Sequence, residues 1–447
     1  MKYNRQSIID NSIKSNFDLM LICGIPGSGK TTIAQEFSNN GYEIISIDDE
    51  KYRLALQNEQ YKNMYLSEIG EDLNNFSDKA FEICIDKCSL LLLQNKKCVF
   101  DSNNTTIKKR SLFIKKIQEK IKNTKISIGC IYLDVSLNTA ISQNEKRASK
   151  EIGISNITNE PVYDKYVSEK DKINTYNSQI LPIKEYESFF NEIYILHEDN
   201  FEYKPGHLQD VLDIYNSKNL FDYCKSHKDI INEMFPEYEN VWDFNQKNPH
   251  HNLKLDDHIL SVANQLKKER IEIFLAGLLH DIGKPFTQLR RGIMIMDSMI
   301  FKAGEKVDIV SIKQNGFVVV EKRENHKYAN ELVTIKHVVM NDHYNYYNHE
   351  NVGAIIARRR LEQLMFTEEQ CNLVYRYILH HMVIPIDTKH SSKTLKKVLK
   401  KIGKVIIKDV IKIKLADKTS SNSSSESLEN LYYNINEIKK LWRWYNE

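Results

Sequence analysis

Short apolar runs alternate with helical periods through the first two hundred residues of the chain. Leu19 to Cys23 is five apolar residues long and reads as a buried parallel strand. A glycine-rich turn follows, and Thr32 to Phe37 continues as a helix. Tyr42 to Ile47 predicts a second strand that ends in Asp48-Asp49-Glu50. Ile69, Leu73, Phe76, Phe81, Cys84, Cys88 and Leu91 recur at helical spacing and predict one long helix over residues 66–95. Lys97 to Phe100 and Ile126 to Leu133 read as strands, ending at Asp101 and Asp134. Thr106 to Ile121 and Ser136 to Lys150 read as helices, and Glu192 to Leu196 as a last strand. Strands alternating with helices predict an α/β domain, a parallel sheet with helices on both faces. In such sheets chemistry gathers at the carboxyl ends of the strands.

The pattern changes at Lys204-Pro205-Gly206, a turn signal that we take as a domain boundary. Residues 1–203 form the expected α/β domain. Residues 204–447 read as a second, mostly α-helical domain with one β-hairpin, Val307 to Ile312 and Phe317 to Glu321 across Lys313-Gln314-Asn315-Gly316. Thr419 to Ser425 is a low-complexity loop before a last helix. Of the 14 histidines only His197 precedes the boundary.

At 447 residues the chain has room for two or three cores, and a net charge of +3 permits a nucleic-acid partner without implying one. Any basic groove has to be local. The seven cysteines have no metal-type spacing, and Cys84 and Cys88, one helical turn apart, read as core packing. Scattered thiols, no apolar leader and no run of 18 apolar residues predict a cytoplasmic protein without a membrane partner.

Gly24-Ile25-Pro26-Gly27-Ser28-Gly29-Lys30-Thr31 is a complete G-x-x-x-x-G-K-T phosphate loop between a strand and a helix, with Thr32 next in line. Its backbone N–H groups and the helix N-terminus suit the phosphates of ATP or another nucleoside triphosphate. Lys30 is expected on the terminal phosphates and the Thr31 hydroxyl on Mg²⁺. An acceptor hydroxyl needs a carboxylate beside it, and Asp48 is the first candidate, with Asp49 second. Arg53 is expected to hold an acceptor phosphate, Asp101 to orient Arg53 or water around Mg²⁺, and Arg147 to reach over the triphosphate as a lid cation. Each of these acids also suits a plain strand-end turn.

In the second half five places carry candidate metal chemistry: His258, His280-Asp281, His349, His380-His381 and Asp417. Imidazoles and carboxylates suit Mn²⁺, Fe²⁺, Co²⁺, Ni²⁺ or Zn²⁺. Taken singly, each histidine reads first as a surface or satisfied core residue, and only together do they point to a metal. His250, His251, His326, His337, His343 and His390 are read that way.

GIPGSGKTT, ISIDDEKYR, VFDSNNTTIKKR and LDVSLNTAISQNEKR together resemble the P-loop polynucleotide kinases of phage and bacterial nucleic-acid repair, over residues 18–175. The resemblance implies Asp48 as general base for a 5′-hydroxyl, Arg53 on the neighbouring phosphate, and Asp101 and Asn104 as the family's Asp-x-x-Asn. Two departures stand out. The family has about three residues from Asp to Arg, which leaves Asp48, Asp49 and Glu50 open as the base. The lid helix has Gln143 where the family has a first arginine, and keeps Arg147 beside Lys146. H…HD…H…H…D, with LLHDIGKP and YNHENVGA, resembles the HD phosphohydrolases over residues 230–420. This second resemblance implies His258, His280, Asp281 and Asp417 as the basic metal set. It also implies His349 with His380 or His381, His381 preferred, at a second ion or a phosphate. Lys284 is placed to touch substrate phosphate, and residues 286–340 look inserted.

Together the two resemblances imply nucleic-acid end healing: a kinase for 5′-hydroxyls fused to a phosphohydrolase for 2′,3′-cyclic or terminal phosphates. RNA is the preferred substrate, and a ligase acting on the healed ends is the expected partner. Two rivals remain, a nucleoside or small-molecule kinase fused to a nucleotide phosphohydrolase, and a nucleotide-regulated HD hydrolase. The sequence leaves RNA versus DNA, the metal and the oligomeric state open.

Overall fold

The computed structural model describes residues 3–122, 124–164, 167, 169–198, 200–247, 253–295, 307–312, 318–322, 333–335, 337–421 and 424–444. The chain forms two compact units, Met1–Ser217 with Glu350–Leu379, and Lys218–His349 with His380–Glu447. The expected boundary at 203/204 falls inside the first unit, and the chain passes between units three times.

The first unit is built on β1 (Leu19–Cys23), β2 (Glu43–Ser46), β3 (Cys98–Asp101), β4 (Ile128–Asp134) and β7 (Glu192–His197), parallel throughout and ordered β2-β3-β1-β4-β7. Every residue of β1, β3 and β4 is buried, which is why they read as unbroken apolar runs. Helices flank the sheet. Phe100 of β3 stacks on Phe113 of helix Ile107–Ile121 with centroids 3.8 Å apart. Cys84 and Cys88 of helix Ser77–Leu93 are fully buried, the core role expected of them. A small antiparallel pair, β5 (Glu151–Ile154) with β6 (Pro161–Tyr163), follows helix Leu137–Ala148.

The long helix expected over 66–95 is three pieces: a turn at Leu66–Ile69, a 3₁₀ stretch at Gly70–Phe76 and helix Ser77–Leu93. Gly70 at φ 58° cannot continue an α-helix, and the apolar period runs across the break because Ile69 and Leu73 pack into a local cluster with Ala55 and Tyr61.

Residues 350–379 complete the first unit through buried charge. Arg359 on helix His349–Gln363 makes two bonds to Asp134 at the end of β4, at 2.7 and 2.6 Å. His197, ending β7, places Nδ1 2.8 Å from Asp134 and Nε2 3.1 Å from Glu362. Burial pushes the Asp134 carboxyl up, but Arg359 and His197 outweigh it and hold it well below the carboxylate range. Burial pushes His197 down, but Asp134 and Glu362 outweigh it and raise its pKa. On helix Glu368–His380, the Tyr375 hydroxyl accepts the Leu181 N–H at 2.9 Å.

The second unit is mostly helical, with helices Leu255–Leu266, Ile271–Leu279, Ser392–Ile402, Ile407–Thr419 and Ser425–Trp444. It carries more strand than the expected hairpin. β8 (Leu289–Ile295) pairs antiparallel with β12 (His337–Asn345), and β9 (Val307–Ile312), β10 (Val318–Lys322) and β11 (Val333–Ile335) make a three-stranded antiparallel sheet. The Asn315-Gly316 turn lies outside the described residues, as do His250, His251 and His326.

Candidate functional site

In the first unit the chain turns from β1 into Gly24–Gly29 and enters helix Lys30–Ser38. Gly27 and Gly29 have φ of 82° and 89°, conformations that only glycine adopts without strain. A Cβ at Gly27 would lie 2.4 Å from the Ala140 carbonyl oxygen, so the loop packs directly under helix Leu137–Ala148. Lys30 Nζ donates to the Ile25 oxygen at 2.8 Å, across the mouth of the loop. The Thr31 hydroxyl donates to Asp101 Oδ2 at 2.9 Å, which brings the expected Mg²⁺ hydroxyl and the β3 carboxylate together. Burial pushes the Asp101 carboxyl up, opposed by Lys30 and Thr31.

The acidic turn after β2 is the start of helix Ile47–Ala55, capped by Ser46, whose side chain accepts the Asp49 N–H at 3.2 Å. Asp48 and Asp49 are exposed, with Lys51 Nζ 3.5 Å from Asp48, and both charges bear on Asp101. Glu50 is buried and paired with Lys87 and with Arg53 Nε, the latter at 2.8 Å. Burial raises Glu50, but the two cations outweigh it and lower its pKa. Of the three acids left open, Glu50 is therefore committed to an ion pair, and Asp48 and Asp49 face outward. Arg53 is oriented by Glu50 rather than by Asp101.

Arg147 and Gln143 are both exposed on the lid helix, and Arg147 Nε bonds Asp164 at 3.0 Å. Asn104 Nδ2 donates to the Ile22 oxygen at 3.2 Å and ties the loop after β3 to β1. The sequence reading missed its support. Arg110, fully buried, donates to the Asn104 oxygen at 2.8 Å and to both Glu187 oxygens at 2.7 and 2.6 Å. Arg110 sits in a Lys-Lys-Arg run that looks like a solvated helix face, and Glu187 is 77 residues away.

In the second unit, His258, His280 and Asp417 bring one ligand atom each within 4.8 Å of one another, and so do Asp281, His349 and His381. Asp281 joins the two groups. Its Oδ2 lies 3.4 Å from His258 Nε2 and 3.3 Å from His280 Nε2, and its Oδ1 lies 3.3 Å from His349 Nε2 and 3.7 Å from His381 Nε2. Asp417 Oδ1 is 3.3 Å from His258 Nε2. His280 Nδ1 donates to the Gly277 oxygen at 2.9 Å and His349 Nδ1 to the Tyr346 oxygen at 2.7 Å. Those bonds leave both Nε2 lone pairs turned inward, the orientation of a ligating histidine. Helices Leu255–Leu266 and Ile271–Leu279 approach closely at Gly277, where a Cβ would lie 2.7 Å from Leu266 Cδ1. That contact helps bring His258 and His280 within 3.3 Å.

His381, and not His380, enters the cluster, although both are buried. Lys284 is buried and donates to Asp281 at 2.7 Å and to Gln246 at 2.8 Å, which engages it with the ligand set. Lys414 does the same for Asp417 at 2.9 Å. Gln246 and Lys414 had no signal in the sequence, since neither belongs to a motif.

Residues 19–162 match the family model described as an AAA domain. No curated protein matches the chain. A solved structure similar to it comes from the work titled "Molecular and structural characterization of the PezAT chromosomal toxin-antitoxin system of the human pathogen Streptococcus pneumoniae". It is 17% identical, covers 52% of this chain and 98% of its own, and has a TM-score of 0.26, too low to carry an argument. No described helix is long and apolar enough to cross a membrane. From the family match, the phosphate loop and the parallel sheet, residues 19–162 are a P-loop kinase-like, nucleotide-binding domain, which implies ATP or another NTP with Mg²⁺.

Proposed function

We propose that the protein heals broken RNA ends, phosphorylating 5′-hydroxyls with ATP and removing 2′,3′-cyclic or terminal phosphates at a metal centre. The observation that carries the reading is the presence in one chain of a phosphate loop whose Thr31 bonds Asp101, with Asp48 near enough for its charge to bear on Asp101, and an Asp281-bridged cluster of His and Asp. Joining them by a shared substrate is an argument from analogy.

In the kinase reaction Lys30 balances charge on the transferring phosphoryl group, and Thr31 with Asp101 would hold Mg²⁺. Asp48 takes the proton of the acceptor hydroxyl. Arg53, fixed by Glu50, receives the acceptor's phosphate, and Arg147 swings from Asp164 onto the triphosphate.

In the hydrolase, the donor set fits divalent transition ions: four imidazoles, two of them fixed with Nε2 inward, and two carboxylates. His258, His280 and Asp417 would hold one ion, His349 and His381 a second, with Asp281 shared. A bound ion lowers the proton affinity of water and neutralises phosphoryl charge. Lys284 and Lys414 keep Asp281 and Asp417 ionised and oriented.

The test is incubation with ATP, Mn²⁺ and a short RNA bearing 5′-hydroxyl and 2′,3′-cyclic phosphate ends. A new 5′-phosphate and loss of the cyclic phosphate are expected. Transfer to free nucleosides with both RNA ends unchanged overturns the reading.

A further inference from the structure

Between Thr388 and Lys408 the chain carries eight lysines and one histidine and no acidic residue. Most of them lie on helix Ser392–Ile402 and just after it. At about 100° per residue, Lys393, Lys396, Lys397, Lys400 and Lys401 fall in an arc of about 140°. Leu395, Leu399 and Ile402 point the opposite way and are buried. All five lysines are exposed. Among the described residues, Lys393, Lys397, Lys400 and Lys401 form no ion pair. The contrast with helix Ile107–Ile121 is sharp. It also carries five lysines, over 15 residues, but Lys116 pairs with Glu82 and Lys120 with Asp86.

The ridge rests on a firm base. Helix Ser425–Trp444 packs against it, and Trp442 Nε1 donates to the Lys404 oxygen at 3.0 Å. Buried Asn434 binds the Pro385 and Thr388 oxygens at 3.1 and 2.8 Å and the His390 N–H at 2.9 Å. That loop leads straight from His381 into the lysine helix, and the next helix carries Asp417, so metal-cluster residues bracket the ridge along the chain. Tyr432 and Tyr433 are exposed on the supporting helix at 50% and 42%, and Lys389 Nζ sits 5.7 Å above the Tyr433 ring.

We infer that this lysine ridge is the docking surface for the phosphodiester backbone of a single-stranded polynucleotide whose end is processed by the metal cluster of the same unit. The inference rests on the polynucleotide reading above. An uncompensated cationic face selects a polyanion. The helix spends its apolar side in the protein core and has none left to insert among lipids, which argues against a bilayer as the occupant. The exposed Tyr433 ring, beside Lys389 on the loop that leads into the ridge, offers stacking to an unpaired base.

The test compares the full-length protein with the variant Lys393→Gln/Lys397→Gln/Lys400→Gln/Lys401→Gln. Affinity for a 5′-hydroxyl RNA 20-mer is titrated across monovalent salt. Mn²⁺-dependent hydrolysis of bis(p-nitrophenyl) phosphate checks the centre itself. RNA affinity should fall about ten-fold or more near 0.1 M salt, and the slope of log affinity against log salt should flatten by about 2–3, while small-substrate hydrolysis is unchanged. Equal RNA affinity and slope in parent and variant overturn the ridge, even if both RNA ends are healed. Lysine-dependent RNA binding without end healing upholds the ridge and overturns the end-healing reading alone. Lysine-dependent capture of anionic phospholipid vesicles with no RNA binding overturns the ridge as a polynucleotide surface.

Discussion

The two candidate sites are made of different material. The phosphate loop is backbone, contributed by eight consecutive residues and held open by two glycines at positive φ. The His/Asp cluster is side chain, gathered from positions 258 to 417 and held by hydrogen bonds to Gly277, Tyr346, Lys284 and Lys414. A contiguous backbone site takes its shape chiefly from its own loop. A dispersed site is exposed to any change that moves one of its helices.

The largest expected effect tests the shared ligand. Asp281→Ala removes the one carboxylate both groups use, so metal stoichiometry measured by mass spectrometry should fall toward zero, with loss of 3′ phosphate removal. The kinase rate should remain within about two-fold, and its loss in a folded variant would mean the two sites are not independent. Next comes Lys30→Ala, which removes a cation from the transferring phosphates and should slow 5′ phosphorylation about 1000-fold in a quench-flow assay. Asp48→Ala should do nearly the same with ATP affinity kept. If Asp49→Ala is the slower variant instead, the base is Asp49.

Arg359→Ala removes two of the bonds to buried Asp134, leaving it His197, and should destabilise the first unit by about 3–5 kcal/mol in urea titration, with the phosphate loop untouched in sequence. Arg147→Ala should lower turnover about 100-fold, the scale of one electrostatic donor, while Asp164→Ala should leave it nearly unchanged. A small effect of Arg147 would show that its ion pair is structural.

The smallest effect is one of pH. The pKa of His197 is raised on folding, so its contribution is complete below its unfolded value of 6.5 and is lost as pH rises through the raised value. Asp134 and Glu362 are lowered on folding, so theirs is present above the unfolded carboxylate range and is lost as pH falls. Melting temperature should therefore drop about 2–4 °C more between pH 6 and 9 in the parent than in His197→Gln.

What was legible in the sequence follows the same division. The phosphate loop and the strands beside it stand within a residue or two of where the apolar runs placed them, because buried parallel strands announce themselves locally. The ligand types of the cluster were legible one by one, but His380 and His381 are indistinguishable until helix phase is known. The Arg359–Asp134–His197–Glu362 network was not legible at all, because its members are up to 228 residues apart and each looks like an ordinary charged surface residue. Five strands in the second half were reduced to one hairpin because only the Asn-Gly turn carried a strong local signal. The lysine ridge was hidden by a net charge of +3, an average over paired and unpaired regions.

The return of residues 350–379 to the first unit also sets the order in which the protein can be made. On the ribosome the five strands of the parallel sheet are all synthesised by His197, but Arg359 does not yet exist. At about 5–20 residues per second, residues 218–349 delay its arrival by roughly 7–26 s. Throughout that interval Asp134 and His197 lack their downstream partners, and the nascent kinase fold is exposed without its closing helices. A gene cut at the Lys204-Pro205-Gly206 turn would make that waiting state permanent. The two units are therefore inherited together, and shuffling of the halves between genes is disfavoured however independent their sites are.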